Sequence, residues 1–578
     1  MIYSGISHLA DQHDAFFLED GRLYIRIRTA RHDVTSVILH TRDKYIPIEL
    51  RDTSSSYKMT HIGGDFAHDY FAVKLPVDMT DAGNPRMLCL RYFFEITDCA
   101  GAKIYYGDSW FFTNRPGEVE DMFDCPLISR RAQTFCIPDW AKNAVVYQIF
   151  PSRFATTKNV PDEKWYQTPV TNETDLMGNL SGIISKLGYL KELGCDCIYM
   201  TPIFRSDTAH KYDTIDYYCI DPSFGNDNDL KNLVEASHSM GMKVILDGVF
   251  NHTSTKFFAF RDIIEKGRKS KYFDWYYIDG DPSDYGSESS LPGYQSFAYF
   301  GGMPKLRVEN PEVADYITDV CLHYIRNFHI DGWRLDVGDE ISHSFWKKLR
   351  TRIKAENKDA LLVGEVWHFA PDFLMGDEWD SVMNYTFYKA TTSMLCGGCL
   401  RPSEFMSELA FLKGNYQSAV IPVLWNLIDS HDTPRFLTMA ENDKRRLMLA
   451  ASLQMLLPGT PFIYYGDEVG MEGGMDPDNR RGMYWDNRAD MDIYRWYQRL
   501  TYFRHTIHDI TAGNYSSVSA DDEKNFMKFF LKSGEILIFH TTGDETSEKE
   551  YEGYKELLSD RIFNGLVEPY QTILLRKN

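Results

Sequence analysis

The stretch GWRLDV at residues 332–337 is a short apolar run that ends in charge, with Arg334 two positions before Asp336. Three more stretches repeat this design, and each sets polar or acidic residues just after an apolar run: DGVFNH (247–252), GEVWH (364–368) and DSHDTPR (429–435). Polar groups at the ends of successive buried strands are typical of a parallel barrel, whose chemistry lies at the carboxyl ends of its strands. We therefore interpret the four stretches as parts of one site.

From about residue 140 onward, apolar strand-like runs alternate with helical stretches, which indicates a parallel sheet. The runs are 144–150, 197–203, 244–250, 332–337, 361–366, 381–385, 423–428 and 461–465. Eight such strands with helices between them predict an α/β fold of the (β/α)8 TIM-barrel type.

The flanking regions have a different texture. Near the N-terminus, Leu23, Ile25 and Ile27 alternate with arginines, the period-two pattern of a half-buried strand. We predict an N-terminal β-sandwich over 1–120, a catalytic barrel over 121–510 and a C-terminal β-domain over 511–578. The segment 252–310 is too long for a simple loop, so we expect a subdomain inserted after the third barrel strand.

Composition excludes several classes of function. The 578 residues carry a net charge of −21, which disfavours binding to nucleic acid. No run approaches the length of a membrane span, and the N-terminus lacks the features of a signal peptide. Ten cysteines without a disulfide framework favour reduced thiols and a cytoplasmic protein. The 14% aromatic content fits either core packing or sugar binding.

Separated carboxylates suggest the chemistry of a glycosidase, which needs one anionic and one protonated carboxyl group. Arg334 lies on the same strand face as Asp336 and should lower its pKa, as a nucleophile requires, although a structural Arg–Asp pair would look the same. Glu365 follows an apolar run that should raise its pKa, as an acid requires; a surface glutamate is the alternative. Asp432 would stabilise developing positive charge.

Metal chemistry is a weaker interpretation of these residues. His252 and His431 could bind a metal with Asp247 or Asp432, but their spacing matches no tight ligand motif. The isolated pair Cys396 and Cys399 has no second pair to complete a zinc site. We therefore expect the histidines to hydrogen-bond sugar hydroxyls, since imidazole both donates and accepts.

These motifs resemble those of the α-amylase family, glycoside hydrolase family 13. The resemblance extends from VVYQIFPSRF (145–154) through HKYDTIDYYCIDPSFG (210–225) to YYGDEVG (464–470). Within the family, the extra N-terminal β-domain, the stretch MPKL (303–306) and DPDNRR (476–481) resemble the cyclomaltodextrinase, neopullulanase and maltogenic amylase group.

The resemblance implies a role for each matching position. Asp336 would be the nucleophile, Glu365 the acid/base and Asp432 the transition-state stabiliser. The implied substrate-binding residues are Tyr212, His252, Arg334, Trp367, His431, Asp476 and Arg480. Asp247 and Asn251 would be structural. Retention of configuration would require a close carboxylate pair, about 5–5.5 Å apart.

Two positions depart from the pattern of the group. Arg307 follows MPKL where an asparagine is usual, and Asn179 stands where the calcium loop of the group carries an aspartate. A hard cation prefers charged oxygens, so we expect no required cofactor and disfavour calcium. The resemblance also implies a homodimer formed through the N-terminal domain; the alternative is that this domain binds starch through its aromatic residues.

The sequence therefore predicts a retaining α-glucan hydrolase. It should cleave α-1,4 bonds in maltooligosaccharides, cyclodextrins, pullulan or starch, with some transglycosylation. One alternative is a transferase or isomerase of the same family. Others are a non-catalytic glucan-binding relative, which the retained carboxylates disfavour, and a metal-dependent barrel hydrolase.

Overall fold

A computed structural model describes residues 1–46, 55–108, 110–116, 121–280 and 293–578. The chain forms two compact units. The first comprises Met1–Cys136, Pro371–Asp377 and Ser403–Ile421, and the second comprises Ile137–Ala370, Glu378–Pro402 and Pro422–Asn578. Two short segments from the middle of the chain thus belong with the N-terminal residues.

The first unit contains ten antiparallel strands in its described part. They are β1 (Ala15–Phe17), β2 (Leu23–Ala30), β3 (Val34–Asp43), β4 (Ser55–Lys58), β5 (Thr60–Gly64), β6 (His68–Leu75), β7 (Cys89–Asp98), β8 (Lys103–Gly107), β9 (Trp110–Phe112) and β10 (Phe123–Pro126). One sheet has the order β1-β2-β6-β5 and the other the order β4-β3-β7-β8-β9, with β10 paired to β7. The predicted β-sandwich is confirmed.

The alternation in β2 explains how this sandwich closes. Ile25 and Ile27 are fully buried in a core that they share with Leu39 and Phe94 of the other sheet. Arg26 points the opposite way but is buried too, because its guanidinium donates to Asp14 at 2.7 Å and to carbonyl oxygens of residues 415 and 416. The polar face of the strand is therefore covered at Arg26, whereas Arg28 on the same face is exposed.

The second unit contains the predicted barrel. The parallel strands of the barrel are β11 (Val146–Ile149), β12 (Cys197–Met200), β15 (Lys243–Gly248), β16 (Gly332–Leu335), β17 (Leu361–Gly364), β18 (Ser381–Val382), β19 (Trp425–Leu427) and β20 (Thr460–Tyr464). Between β12 and β15 the chain forms a separate antiparallel hairpin of β13 (Phe204–Arg205) and β14 (Asp216–Ile220). The order is β18-β17-β16-β15-β12-β11-β20-β19, and a parallel bridge from Met383 to Trp425 joins the two ends. The TIM barrel is confirmed.

Helices alternate with these strands. In chain order they are α1 (Leu127–Ala132), α2 (Pro151–Phe154), α3 (Asp162–Trp165), α4 (Leu180–Ser185), α5 (Leu187–Leu193), α6 (Asp227–Ser239), α7 (Phe258–Lys266), α8 (Pro311–Phe328), α9 (His343–Glu356), α10 (Tyr385–Leu395), α11 (Pro402–Asn415), α12 (Phe436–Met439), α13 (Lys444–Leu456), α14 (Met491–Thr506) and α15 (His508–Ala512). Helix α1, and α11 from Ser403 onward, lie in the first unit.

Strand register brings the charged residues of the barrel together. Asp247 of β15 pairs with Arg334 of β16, and Arg334 pairs with Val363 of β17. A Cβ at Gly364 would lie 2.2 Å from the ring of Trp379, so only glycine permits this close approach. The chain leaves β17 there, which places Glu365 at the carboxyl end of the strand.

The insertion and the C-terminal domain also match the prediction. In the described part of the stretch between β15 and α8, the chain forms α7 and short turns, and a bridge joins Tyr276 to Leu306. The C-terminal strands are β21 (Tyr515–Asp521), β22 (Phe526–Leu531), β23 (Ile536–His540), β24 (Thr546–Ser547), β25 (Lys555–Glu556), β26 (Arg561–Ile562), β27 (Leu566–Val567) and β28 (Thr572–Arg576). Phe526, Ile538 and Ile573 form part of their core.

Two further observations bear on the setting of the protein. Within the described ranges, no helix has both the length and the apolar character needed to cross a membrane. All ten cysteines are described, and all are free thiols.

Candidate active site

Arg334 is the centre of the site. Its side chain is fully buried, and Nη1 lies 2.7 Å from Oδ1 of Asp336 and 3.0 Å from Oδ1 of Asp247. Its Nη2 lies 2.8 Å from Oε2 of Glu365. One guanidinium therefore contacts three carboxylates that come from three neighbouring strands. A buried arginine in this setting fixes the relative positions of the carboxylates, because its donors form a rigid fork.

Asp247 is held by tyrosines as well as by Arg334. The hydroxyl of Tyr199 donates to Oδ2 of Asp247 at 2.6 Å, and the hydroxyl of Tyr212 donates to the same oxygen at 2.9 Å. Asp247 is 1% exposed, so no solvent competes for these contacts. Its position fits the structural role that the resemblance implies.

Glu365 accepts two further hydrogen bonds. The backbone N–H of Val337 donates to Oε2 at 3.0 Å, and the indole Nε1 of Trp367 donates to Oε1 at 2.9 Å. The sequence predicted an apolar neighbourhood for Glu365, and this was wrong: the carboxylate faces a guanidinium and two N–H donors. Val337 directly follows Asp336 in the chain. Its N–H therefore links the Glu365 carboxylate to the backbone beside Asp336.

A hydrogen-bonded chain links the first barrel strand to this cluster. The amide nitrogen of Gln148 donates to Nδ1 of His431 at 2.7 Å, so the ring proton of His431 lies on Nε2. That proton is donated to the Tyr212 oxygen at 2.5 Å, which leaves the Tyr212 hydroxyl proton for Asp247. The ring of His431 is thereby fixed in both orientation and tautomer.

Asp432 approaches the cluster from the loop after β19. Its Oδ2 lies 3.2 Å from Nε2 of His431, and its Oδ1 lies 3.4 Å from Nη2 of Arg480. The same Arg480 nitrogen lies 3.4 Å from Asp476. Asp432 is more open than the three carboxylates on Arg334, with 28% of its side chain exposed. This partial exposure leaves its carboxylate accessible to a bound ligand.

His252 and Asn251 flank the site on the β15 side. His252 stacks on Phe297 with ring centroids 4.9 Å apart, and its Nε2 lies 3.1 Å from the carbonyl oxygen of Tyr212. Asn251 accepts a hydrogen bond from Lys305 and donates to Glu340 at 3.3 Å. All residues predicted for the site therefore lie in one connected network.

Lys305 and Arg307 of the MPKLR stretch face different surroundings. Lys305 bonds Asn251 and the Glu340 carboxylate beside the site. Arg307 is exposed and lies over the ring of Tyr277 at 5.7 Å. Nothing in the structure explains the arginine at this position.

The pKa of Asp336 shifts in the direction opposite to the one expected from the sequence. Burial and the neighbouring Glu365 carboxylate raise the pKa of Asp336 well above its ordinary value, and Arg334 only opposes this rise. The predicted lowering was therefore wrong. Burial also raises the pKa of Asp247. Because burial outweighs the shared cation, Asp336 and Asp247 keep their protons to a higher pH than isolated aspartates do.

Burial also disfavours the charged forms of Asp432, His252 and His431. Burial and the charge on Glu365 raise the pKa of Asp432 to about 7. Burial lowers the pKa of His252 to about 3 and holds the pKa of His431 well below its ordinary value. Both imidazoles are therefore neutral at pH 7, so each keeps one donor and one acceptor nitrogen.

Sequence reasoning missed several residues that position the site. Gln148 holds His431, Tyr199 holds Asp247, and Tyr385 stacks on Trp367 with centroids 4.1 Å apart. Gln148 could have been found as a polar residue inside the apolar run of β11. Tyr199 and Tyr385 carry no such signal, because tyrosine is common in buried strands and helices.

The structure also bears on metal binding. Over the described ranges, no group of three or more His, Cys, Asp or Glu side chains is arranged to hold a metal ion. Asn179, which stands in the calcium loop of the resemblance, caps α4 by accepting from the N–H of Gly182 at 2.7 Å. Its Nδ2 donates to Thr157 at 3.2 Å. The loop supplies a neutral amide at a position where a charged carboxylate would bind a hard cation better.

The chain is similar to known proteins over nearly its whole length. Residues 148–504 match the family described as alpha amylase, catalytic domain, and residues 1–129 match the alpha amylase N-terminal ig-like domain. It is 39% identical to neopullulanase 2 of Thermoactinomyces vulgaris over 541 residues, covering 92% of this chain and 89% of the relative.

Two other similarities agree with this match. The chain is 34% identical to intracellular maltogenic amylase of Bacillus subtilis over 550 residues, covering 93% of this chain and 91% of the relative. A solved cyclomaltodextrinase structure superposes with a TM-score of 0.91 at 31% identity, covering 100% of both chains. The chain therefore belongs to the α-amylase family, and it is an α-glucan hydrolase of the neopullulanase, cyclomaltodextrinase and maltogenic amylase group.

Proposed function

We propose that this protein hydrolyses α-1,4-glucosidic bonds by a retaining mechanism, with Asp336 as nucleophile and Glu365 as acid/base. The observation that carries the proposal is the position of Arg334, whose two terminal nitrogens lie 2.7 Å from Asp336 and 2.8 Å from Glu365. Two carboxyls on one guanidinium form a close pair, as a retaining glycosidase requires.

The chemistry proceeds in two steps. In the first, the Asp336 carboxylate attacks the anomeric carbon while Glu365 protonates the glycosidic oxygen, and the leaving sugar departs as an alcohol. In the second, Glu365 takes a proton from water, the oxygen of which attacks the anomeric carbon and releases Asp336.

Asp432 and Arg480 act on the sugar that becomes charged. A carboxylate beside the developing oxocarbenium ion stabilises it and accepts hydrogen bonds from its hydroxyls. Arg480 holds Asp432 and also lies near Asp476, which places these two residues to contact the next sugar. His252 and His431 are neutral, so they suit hydroxyl groups rather than phosphate.

Trp367 and Tyr212 provide surfaces for sugar rings. Trp367 is 41% exposed and stacks on Tyr385, so its free face is available to the C–H face of a glucose. Its indole N–H also contacts Glu365. A residue that touches both the acid and the bound sugar couples binding to proton transfer. Tyr212 stacks against His431.

The names of the relatives suggest the substrates. They point to maltooligosaccharides, cyclodextrins and pullulan. We also propose some transfer to a sugar acceptor, as the family resemblance implies. We would measure the products of wild type and Asp336→Asn on maltotriose, β-cyclodextrin, pullulan and starch. Cleavage of the short or cyclic glucans to α-anomers, abolished in the variant, supports the proposal. A strong preference for starch contradicts the substrate assignment, and β-anomers contradict the mechanism.

We further propose that catalysis needs no calcium. The amide of Asn179 is already committed to capping α4 and to Thr157, so at this position the loop offers no charged oxygen to a cation. Activity and melting temperature should be unchanged after dialysis against EGTA. A loss of activity that calcium restores would contradict this.

We also propose a cytoplasmic location and a homodimeric state. Similarity to an enzyme named intracellular maltogenic amylase supports a cytoplasmic location. The first unit exposes large apolar side chains, including Trp110 at 70% and Leu88 at 59%, which supports a homodimer formed through this unit. Sedimentation velocity should give a dimer for wild type and a monomer for Trp110→Ser combined with Leu88→Ser. A wild-type monomer would contradict the proposal.

A further inference from the structure

Asn479 lies beneath the loop that carries His431 and Asp432. The residue is fully buried. Its amide nitrogen lies 2.7 Å from the carbonyl oxygen of Thr433, 2.8 Å from that of His431 and 3.3 Å from that of Ser430. The loop therefore turns three backbone carbonyls toward a single side chain.

The chemistry of these partners fixes the orientation of the amide. Backbone carbonyls only accept hydrogen bonds, so the NH₂ group of Asn479 must face them, and its oxygen would be repelled there. With the carbonyls of the loop directed at Asn479, the side chains of His431 and Asp432 are directed elsewhere. Both contact residues of the site: His431 contacts Tyr212, and Asp432 contacts Arg480.

Asn479 is itself held rigidly. The backbone carbonyl oxygen of Asn479 accepts hydrogen bonds from Nε of Arg435 at 2.9 Å and from the hydroxyl of Tyr464 at 3.2 Å. Arg435 is fully buried, pairs with Asp467 at 3.1 Å and lies 4.2 Å from the ring centre of Tyr464. The Asn479 amide with its three carbonyl partners, here called the clamp, is thus supported by the buried residues Arg435, Tyr464 and Asp467.

Arg480 adds a second connection to the same place. Its Nε donates to the carbonyl of His431 at 2.9 Å, the same oxygen that Asn479 contacts. Its Nη2 reaches the Asp432 carboxylate at 3.4 Å. Asn479 therefore contacts the backbone of the loop, and Arg480 contacts both this backbone and the Asp432 carboxylate.

We propose that Asn479 is a positioning residue, which sets the geometry of Asp432 and His431 through the backbone of residues 430–433. The inference rests on the proposed role of Asp432. Asn479 does not touch the substrate. A displacement of about 1 Å in a catalytic group costs roughly 10²-fold in rate. Loss of the three carbonyl contacts should therefore lower kcat and leave KM nearly unchanged.

The test compares Asn479→Ala with Asn479→Ser on maltotriose and on an aryl α-maltoside with an activated leaving group. We expect kcat to fall about 10²-fold for the alanine variant on both substrates, because transition-state stabilisation is needed whatever the leaving group. Serine keeps one donor, so this variant should lose less and remains informative where alanine fails to fold. Wild-type kcat in a folded variant would overturn the inference.

Asp478→Asn is a matched control for simple destabilisation. Asp478 precedes Asn479, pairs with Arg481 at 2.7 Å and accepts from the N–H of Gly474 at 2.9 Å, and none of its hydrogen bonds reaches residues 430–433. We expect it to lower the melting temperature and keep kcat within about twofold, since it leaves the clamp in place. Equal losses of kcat in the control and in Asn479→Ala, at equal melting temperature, would overturn the inference.

A double-mutant cycle with Asp432→Asn separates this inference from the proposed function. If Asn479 acts through Asp432, adding Asn479→Ala to Asp432→Asn should cost less than about threefold further in kcat. Fully additive losses would overturn the positioning role. An inactive Asp432→Asn with a fully active Asn479→Ala contradicts this inference alone, whereas an active Asp432→Asn contradicts the proposed function and the inference with it.

Discussion

The hydroxyl oxygen of Tyr212 lies 2.5 Å from Nε2 of His431, and the two rings are parallel to within 9°. This contact joins two segments that follow different barrel strands, because Tyr212 lies in the segment after β12 and His431 in the loop after β19. Since the hydroxyl proton of Tyr212 goes to Asp247, the contact also connects His431 to the Arg334 cluster. The histidine and the carboxylates are therefore positioned as one unit.

Tyr212→Phe tests this connection. The variant removes the hydrogen bonds to His431 and Asp247 and keeps the ring. We expect kcat/KM to fall about 10- to 100-fold, because a hydrogen bond to a charged group contributes about 1.5–3 kcal/mol. Steady-state kinetics on maltotriose would measure the change. The comparison variant is Tyr199→Phe, which removes a bond to Asp247 but none to His431. Activity of Tyr212→Phe within twofold of wild type would show that the connection has no role.

Trp367→Phe tests the contact between the indole and the acid/base. Phenylalanine can still stack on Tyr385 but cannot donate to Glu365. We expect kcat to fall about 10-fold on maltotriose, because the orientation of the proton donor is lost. On an aryl α-maltoside with a good leaving group the loss should be small, since that bond breaks without protonation. Equal losses on the two substrates would instead indicate a pure binding role.

Arg334→Lys tests the fork that holds the three carboxylates. Lysine keeps the charge but loses the planar geometry, so it cannot contact Asp336, Asp247 and Glu365 together. We expect kcat to fall at least about 10³-fold and unfolding free energy to fall by about 3–5 kcal/mol, as when a buried ion pair is broken.

The control for this variant is Arg350→Lys, because Arg350 pairs with buried Asp380 at 2.8 Å outside the site. It should lose stability while keeping kcat. A fully active Arg334→Lys would contradict the central position that we assign to the arginine.

Asp432 makes stability depend on pH. Burial raises its pKa to about 7, far above the value of an unfolded aspartate. A raised pKa means that the folded state gains stability from the proton at low pH, and that this gain is lost as pH rises through about 7. Asp432→Asn should therefore match wild type near pH 4 and exceed it by about 1–2 kcal/mol at pH 8, a value reduced for the partial exposure of the carboxylate.

Thermal unfolding of both proteins across this pH range would measure the gap. The same ionisation should govern activity, since the stabilising carboxylate must be charged. A constant difference in stability between pH 4 and pH 8 would contradict a raised pKa for Asp432.

The architecture was predictable because periodicity reports it directly. The apolar runs around GWRLDV and LLVGE mark strands β16 and β17, and the alternation near Ile25 marks a sandwich strand. The boundaries were less predictable: residues 403–421 pack with the N-terminal unit although they lie between barrel strands. Such long-range packing leaves no mark in local periodicity.

The sequence predicted which residues lie together in the site, but it did not predict the direction of the pKa shift at Asp336. Asp336 and Glu365 could be identified from their motifs, yet the sequence could not show that both lie on one buried guanidinium with a third carboxylate. That arrangement decides the sign of the pKa change at Asp336. Asn479 was missed for a similar reason, because its function depends on backbone carbonyls that any sequence provides.

The most direct test of the account is to trap the glycosyl–enzyme intermediate. Glu365→Gln lacks the acid/base, so an α-maltosyl fluoride, whose leaving group needs no protonation, should react with Asp336 and then hydrolyse slowly. We predict that the intact mass rises by one maltosyl group and that peptide mapping places this group on Asp336. No adduct, or an adduct on Asp432 or Asp247, would contradict the assignment of Asp336 as the nucleophile of a retaining enzyme.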